Sequence, residues 1–435
     1  MSNFQIALIT TFVIFTVVAV LIFTGAIPGF KAPEGGYGGE VVVWGTFPKL
    51  KLSSAIDAFN QQNKALFSLA YEEKNKDSFE RELLEALASG RGPDIFFLTQ
   101  DMVLKHKDKV LLVPFETLTE REFKDTFTEE GELYLTLEGV LALPLSVDPL
   151  VMYWNRDIFS SAAIARPPEF WDEFLTIAPA VTERDDAGNV LTSAVALGEF
   201  ENITHAKDIL SMLILQAGNN IVEVAEDGRV NVVLSNTQES GSQRTESALR
   251  FYTEFSNSVK PAYSWNRSLP QSRDMFVAGD LAVYFGYASE LPDIITKNPH
   301  LNFDVSLVPQ IRDNKTKETF GNMYALAIAR NTGKPQTAFQ ALVLMAGSDF
   351  ANTVSKAMKL PPVRRDLLSI KQTDAYNSVF YDSALRATAW LDPNPEASYN
   401  VFKDMVEDVS SGRFRISQAV LNANTELKQS IDSRE

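Results

Sequence analysis

The chain of 435 residues contains no cysteine. That absence excludes disulfides, thiolate metal sites, a cysteine nucleophile and a lipid-modified cysteine as membrane anchor. Histidine is nearly as scarce. His106, His205 and His300 stand far apart and lack the HExxH spacing of a metal-binding helix, so no metal site or other cofactor is expected. Long basic runs are missing too. Forty Lys and Arg against 56 Asp and Glu leave a net charge of −16, a field that repels phosphates, and nucleic acid is not an expected partner. No GxSxG or phosphate loop is present to suggest hydrolase or nucleotide chemistry.

What the chain does have is enough apolar content, 45%, to build large cores, and a length that accommodates more than one domain of roughly 100–200 residues. From Ser2 to Phe30 no side chain is charged, and Ile6 to Ile27 is almost continuously apolar or Thr. That run exceeds the roughly 20 residues a spanning helix needs. A single transmembrane anchor over 1–30 is the favoured reading. The rival is a signal peptide cleaved near Thr24-Gly25-Ala26, but the segment ahead of the run has no Lys or Arg and the run outlasts a typical apolar region of roughly 7–15 residues. Residues 31–40, KAPEGGYGGE, then read as a flexible linker.

The body opens with alternating signals. Val41 to Trp44 is a short strand, Ser53 to Asn63 a helix, Phe67 to Tyr71 a strand. Phe79, Leu83 and Leu87 recur at helical spacing behind a capping pattern of Asp77 and Glu80 until Gly90, and Ile95 to Leu98 is a third strand. This alternation predicts a parallel sheet with right-handed crossovers, whose ligands sit beyond the carboxyl ends of the strands, where Phe47, Lys49 and Asp101 fall.

Leu143 to Phe159, LPLSVDPLVMYWNRDIF, is a long extended stretch with Asp148 locked ahead of Pro149. It reads as a strand passing from one compact unit to another; a plain turn at Asp148 is the bland alternative. Helices are expected over Pro167–Ile177, His205–Ala217 and Thr245–Val259, and a hairpin over Ile221–Val233. Asn302 to Pro309 reads as a second crossing, Pro335 to Lys359 as one helix, and the tail as helices around Tyr399 to Ser410 and from Ser417. Between Pro261 and Ala288 lies a dense aromatic set. Leu281 to Phe285 has the pattern of a packed strand, whereas Trp265, flanked by Ser264 and Asn266, reads as a loop residue free to meet a ligand.

Five motifs then stand in order: VVVWG at Val41–Gly45, ASGRGPDIFFLTQD at Ala88–Asp101, the Asp148 stretch followed by PPEFWDEF at Pro167–Phe174, FVAGDLAVYFG at Phe276–Gly286, and LPPVRRDLL at Leu360–Leu368. Together they make the chain resemble the extracellular solute-binding proteins of ABC importers, in the group that includes the maltose-binding proteins. The resemblance implies a two-lobed α/β fold of the type II periplasmic-binding-protein kind. Its N-terminal lobe would hold 41–147 and 308–359, and its C-terminal lobe 148–307 and 360–435. It implies a monomer on the extracellular or periplasmic side that closes on a sugar or oligosaccharide and passes it to permease subunits, without catalysis. By position in the family pattern, ligand contacts would come from Asp101, Asp148, Tyr399, Tyr287 and Lys49, with Trp265 added as a stacking residue.

The residue types leave alternatives open. Carboxylates with aromatics suit paired sugar hydroxyls and flat sugar faces. The same set could hold a polyamine-like cation by cation–π contact, or serve a glycosidase with Asp101 and Asp148 as acid and base.

Overall fold

The computed structural model describes residues 38–225, 228–235, 241–312, 314 and 316–432. The expected anchor over 1–30 and all but 38–40 of the expected linker lie outside the described residues. Among the described residues no helix is long and apolar enough to cross a membrane.

The first body forms as the alternation dictates. Strand β1 (Glu40–Gly45), helix α1 (Lys49–Asn63), strand β2 (Ser68–Glu73), helix α2 (Phe79–Ala88) and strand β3 (Ile95–Thr99) follow one another, and both β2 and β3 pair parallel to β1. Leu52, Ala55 and Phe59 are buried on α1, and Phe79, Leu83 and Leu87 on α2, each set on one helical face. The cap of α2 differs by one residue from the sequence reading. Ser78, not Asp77, precedes the first turn, and its hydroxyl donates to Glu82 at 2.6 Å.

Next comes β4 (Leu143–Asn155), and then the second body: β5 (Val190–Val195), α3 (Ala206–Gln216), α4 (Gly241–Glu254), β6 (Leu281–Tyr287) and β7 (Phe303–Ser306). A small hairpin, Val222–Val224 with Val230–Val232, lies where the turn chemistry expected it. After β7 the chain returns through β8 (Thr319–Ile328), continues as α5 (Pro335–Met345) and α6 (Ser348–Met358), and ends with α7 (Ala375–Ala384), β9 (Ala387–Thr388), α8 (Pro395–Ser410) and α9 (Ile416–Asp432). The segment expected as one helix over Pro335–Lys359 is therefore two, divided at Gly347.

One sheet runs through both bodies in the order β2-β1-β3-β8-β4-β6-β5. Strand β4 makes this possible. From Leu143 to Pro149 it pairs antiparallel with β8, and from Leu150 to Trp154 with β6. Pro149, which has no N–H to give, sits at the changeover opposite Gly321, so the break in pairing falls where a donor is missing anyway.

Two boundaries move relative to the sequence reading. Asn302–Pro309 does not cross, because β7 pairs with Asn155 to Met152 inside the second body. The returning strand is β8, whose Thr319 and Phe320 pair with β9 and whose Tyr324 to Ile328 pair with β3. Likewise Leu360–Leu368 stays with the first body: the Ser146 hydroxyl donates to the Pro361 carbonyl at 3.0 Å and the Thr128 N–H to the Val363 carbonyl at 2.9 Å. The second body resumes at α7, where Tyr376 stacks on Phe303.

Candidate functional site between the two bodies

Both crossing strands carry polar side chains at the point where the sheet changes hands. Asp148 on β4 lies opposite Asn322 on β8. It is 4% exposed, and its Oδ1 accepts the Ser289 N–H at 2.9 Å. Burial pushes its carboxyl up to about 6, against the lowering effect of Ser289 and with a further push from Glu290. The amide of Asn322 accepts from Gln100 Nε2 at 2.9 Å, while Gln100 Oε1 accepts the Met323 N–H at 3.0 Å. Gln100, at the carboxyl end of β3, thereby pins the first body's edge to the crossing.

From the second body, Tyr287 closes the same group. Its hydroxyl donates to Asp208 at 2.7 Å, its phenol also meets the Asn322 amide, and its ring takes the edge of His205 at 4.6 Å. Behind it His205 meets Glu290 at 2.7 Å and Arg273 pairs with the other Glu290 oxygen at 3.0 Å. Burial alone would raise the Glu290 carboxyl; His205, the Tyr287 N–H and the Tyr284 hydroxyl outweigh it and hold it below its usual value.

A second polar group stands at the carboxyl end of β3. Asp101 follows β3 and takes a hydrogen bond from Thr99. Burial raises its carboxyl and the Thr99 hydrogen bond lowers it; the charge of Asp392 of the second body raises it further and that of Lys207 lowers it. Lys207 and Asp392 form a nearly buried ion pair, and Asp392 also accepts from the Ser398 hydroxyl at 2.5 Å and the Asn394 N–H at 2.9 Å. Lys207 Nζ stands 5.3 Å from the centre of the Trp390 ring, whose other neighbour is Phe402, nearly parallel at 13°. Between the two groups lies Tyr324, whose phenol is raised by burial and then by both Asp148 and Asp101. Phe47 packs on it at 4.8 Å.

Asp101, Asp148 and Tyr287 are thus gathered around Tyr324 and Asn322. Tyr399 and Lys49 are not part of that group. Tyr399, 42% exposed on α8, has its ring against Phe200, and Lys49 opens α1 at the surface with its N–H on Glu73 at 2.7 Å. Trp265 is a correction. Its side chain is fully buried, its Nε1 donates to Asn202 at 3.1 Å, and its N–H and that of Ser264 both reach the Phe255 carbonyl. The loop was legible, but it folds inward and offers no free ring face. Lys207, Asp208, Asp392, Trp390, Asn322 and Gln100 were not singled out from sequence. For Gln100 the signal was available, since it ends a parallel strand beside Asp101.

Two α/β bodies that share crossing strands, with half-buried polar groups of each turned toward the other, define a two-lobed binding protein. The chain belongs to the bacterial extracellular solute-binding protein family, whose pattern matches residues 54–380. Among individual relatives, the diacetylchitobiose binding protein DasA of Streptomyces coelicolor is 23% identical over 348 residues, covering 78% of this chain and 77% of DasA. The fold is shared with a cyclo/maltodextrin-binding protein solved with maltotetraose, at a TM-score of 0.73 and 16% identity over 93% of this chain and 100% of that one. It is also shared with the maltose-binding periplasmic protein MalE of Listeria monocytogenes, at a TM-score of 0.70 and 13% identity over 92% and 99%.

Proposed function

We propose that this protein is the extracellular receptor of an ABC importer and captures a sugar or oligosaccharide by closing its two bodies on it. The observation that carries the proposal is that Asp101 of the first body lies within the electrostatic reach of the Lys207–Asp392 pair of the second, which stands beside Trp390, with Tyr324 of a crossing strand feeling both Asp101 and Asp148. Such a set supplies carboxylate acceptors, an ammonium donor and flat rings, the mixture that vicinal hydroxyls and sugar C–H faces require. The names of the relatives, which bind diacetylchitobiose, maltodextrin or maltose, support the same solute class. In this reading Asp101, Asp148 and Tyr287 contact the solute at the hinge, Tyr399 and Lys49 extend the site at its rim, and no residue acts as a catalyst.

Closure follows from differential contact. A solute that touches only one body favours neither arrangement, whereas one that bridges Asp101 and Lys207 stabilises the closed form by the contacts it adds. The apolar N-terminal run would tether the receptor beside its permease.

The experiment is titration of residues 38–435 with chito- and malto-oligosaccharides and with a polyamine, followed by tryptophan fluorescence. A saturable response to a glycan, weakened tenfold or more by Asp148→Ala or Tyr399→Ala, supports the reading. Response to the polyamine alone would transfer the site to cationic solutes.

A further inference from the structure

A cavity of about 530 Å3 is lined by none of the residues gathered around Tyr324. Its walls come from both bodies. Asn352, Ser355 and Lys356 of α6 line it from the first, and Leu291 and Ile295 of the short helix Leu291–Lys297, with Tyr376 of α7, from the second. The Tyr381 hydroxyl of α7, 3.2 Å from Ser355 Oγ, closes it across the bodies. Its volume falls in the range of small-molecule pockets, roughly 300–1,000 Å3.

Its charge is the reverse of the chain's. In a protein of net charge −16, three lysines line this cavity, Lys356, Lys359 and Lys371, against one carboxylate. That carboxylate, Asp374, is engaged at the start of α7, where it accepts the Asn377 N–H at 2.9 Å. Lys207, Lys297 and Lys403 each hold a carboxylate, whereas among the described residues none of the three cavity lysines is ion-paired. Like charges collected without a counter-charge repel one another, and a cavity between low-dielectric walls focuses their field on whatever enters it.

Lys359 adds a separate observation. It follows α6 in the left-handed conformation, φ 57°, where glycine is the ordinary residue because a Cβ is strained there. A lysine at this position forgoes stability that glycine would supply, and it brings an ammonium to the cavity. Beside the lysines, large apolar side chains stand uncovered: Ile295 is 42% and Ile370 54% exposed. Cations next to bare aliphatic and aromatic surface fit a ligand with a negative group at one end and an apolar body at the other. Three cations against one engaged carboxylate favour a dianion, and a phosphate monoester carries nearly two charges at pH 7. We propose that this cavity is a second ligand site, separate from the solute site, and that it takes a small phosphate monoester with an apolar or aromatic body.

The test is isothermal titration of the full chain with phenyl phosphate, and with inorganic phosphate and phenol as the two halves of that probe. Phenyl phosphate should saturate at one per chain and bind at least tenfold tighter than either half. The triple variant Lys356→Gln/Lys359→Gln/Lys371→Gln should weaken it tenfold or more. Lys51→Gln/Lys64→Gln/Lys76→Gln, which removes three exposed lysines outside the cavity, should bind as the parent does. Absence of saturation, equal binding of phenol, or equal affinity in the two triple variants overturns the proposal. Lys359→Gly gives a reading that misfolding cannot imitate: it should melt at a higher temperature, because the backbone strain is gone, and yet bind the probe more weakly. A glycine variant that melts higher and binds as tightly as the parent overturns the proposal as well.

Discussion

Asp148 and Asn322 stand opposite each other on the two strands that pass between the bodies, and each is tied to the second body by a different partner, Ser289 for the acid and Tyr287 for the amide. Any rotation of one body on the other must therefore bend β4 and β8 beside these two side chains. Asp148→Asn keeps the shape and removes the ionisation. Because burial raises this carboxyl from 3.8 to about 6, the wild-type protein loses stability as pH rises from about 4 through 6, whereas the variant does not. The difference should reach about 3 kcal/mol at pH 7, read from urea melts at several pH values.

Trp265 and Trp390 should separate packing from recognition. Trp265→Ala empties a fully buried site and strips Asn202 of a donor, so a loss of about 3–5 kcal/mol is expected. Solute affinity, measured below the lowered melting temperature, should stay within about twofold. Trp390→Phe, beside Lys207, should cost less stability and abolish most of the solute-induced fluorescence change.

Replacing Lys207 by Met leaves Asp392 buried without its cation. The remaining donors from Ser398 and Asn394 soften the loss, and a destabilisation of about 1–3 kcal/mol is expected. The double variant Lys207→Met/Asp392→Asn should recover part of it. A double-mutant cycle by thermal melting shows whether it does.

Gly321→Ala should be costly for steric reasons alone. Its new methyl would meet Glu130, Val147 and Ala387 at under 3 Å, and overpacking of this kind costs about 1–3 kcal/mol. Combined with Glu130→Ala the penalty should shrink, since the carboxylate side of the clash is gone; calorimetric melting of the single and double variants decides it.

Much of the fold was readable because it is local. Phe79, Leu83 and Leu87 mark one helix by spacing alone, and the strand–helix alternation before Asp101 leaves parallel pairing as the natural arrangement. The crossings were harder. Asn302–Pro309 looks like Leu143–Pro149 in sequence, extended and closed by proline, yet its partner is the far half of β4; the true return, TFGNMYALAI, has no proline to announce it. The site was legible only in part for the same reason. Asp101 and Asp148 stand at strand ends, where position suggests a role, but Lys207 meets Asp392 from 185 residues away and neither has a local pattern. Trp265 misled because polar flanks describe a loop, not which way it turns.

Strand β4 has a consequence for how the molecule comes apart. Its thirteen residues contribute hydrogen-bonded pairs to both bodies, so neither can shed this strand while the other stays whole. Heat should melt the receptor in one calorimetric peak rather than two, and the amides of Val147, Asp148 and Leu150 to Met152 should be the last to exchange with deuterium, opening only with the entire chain.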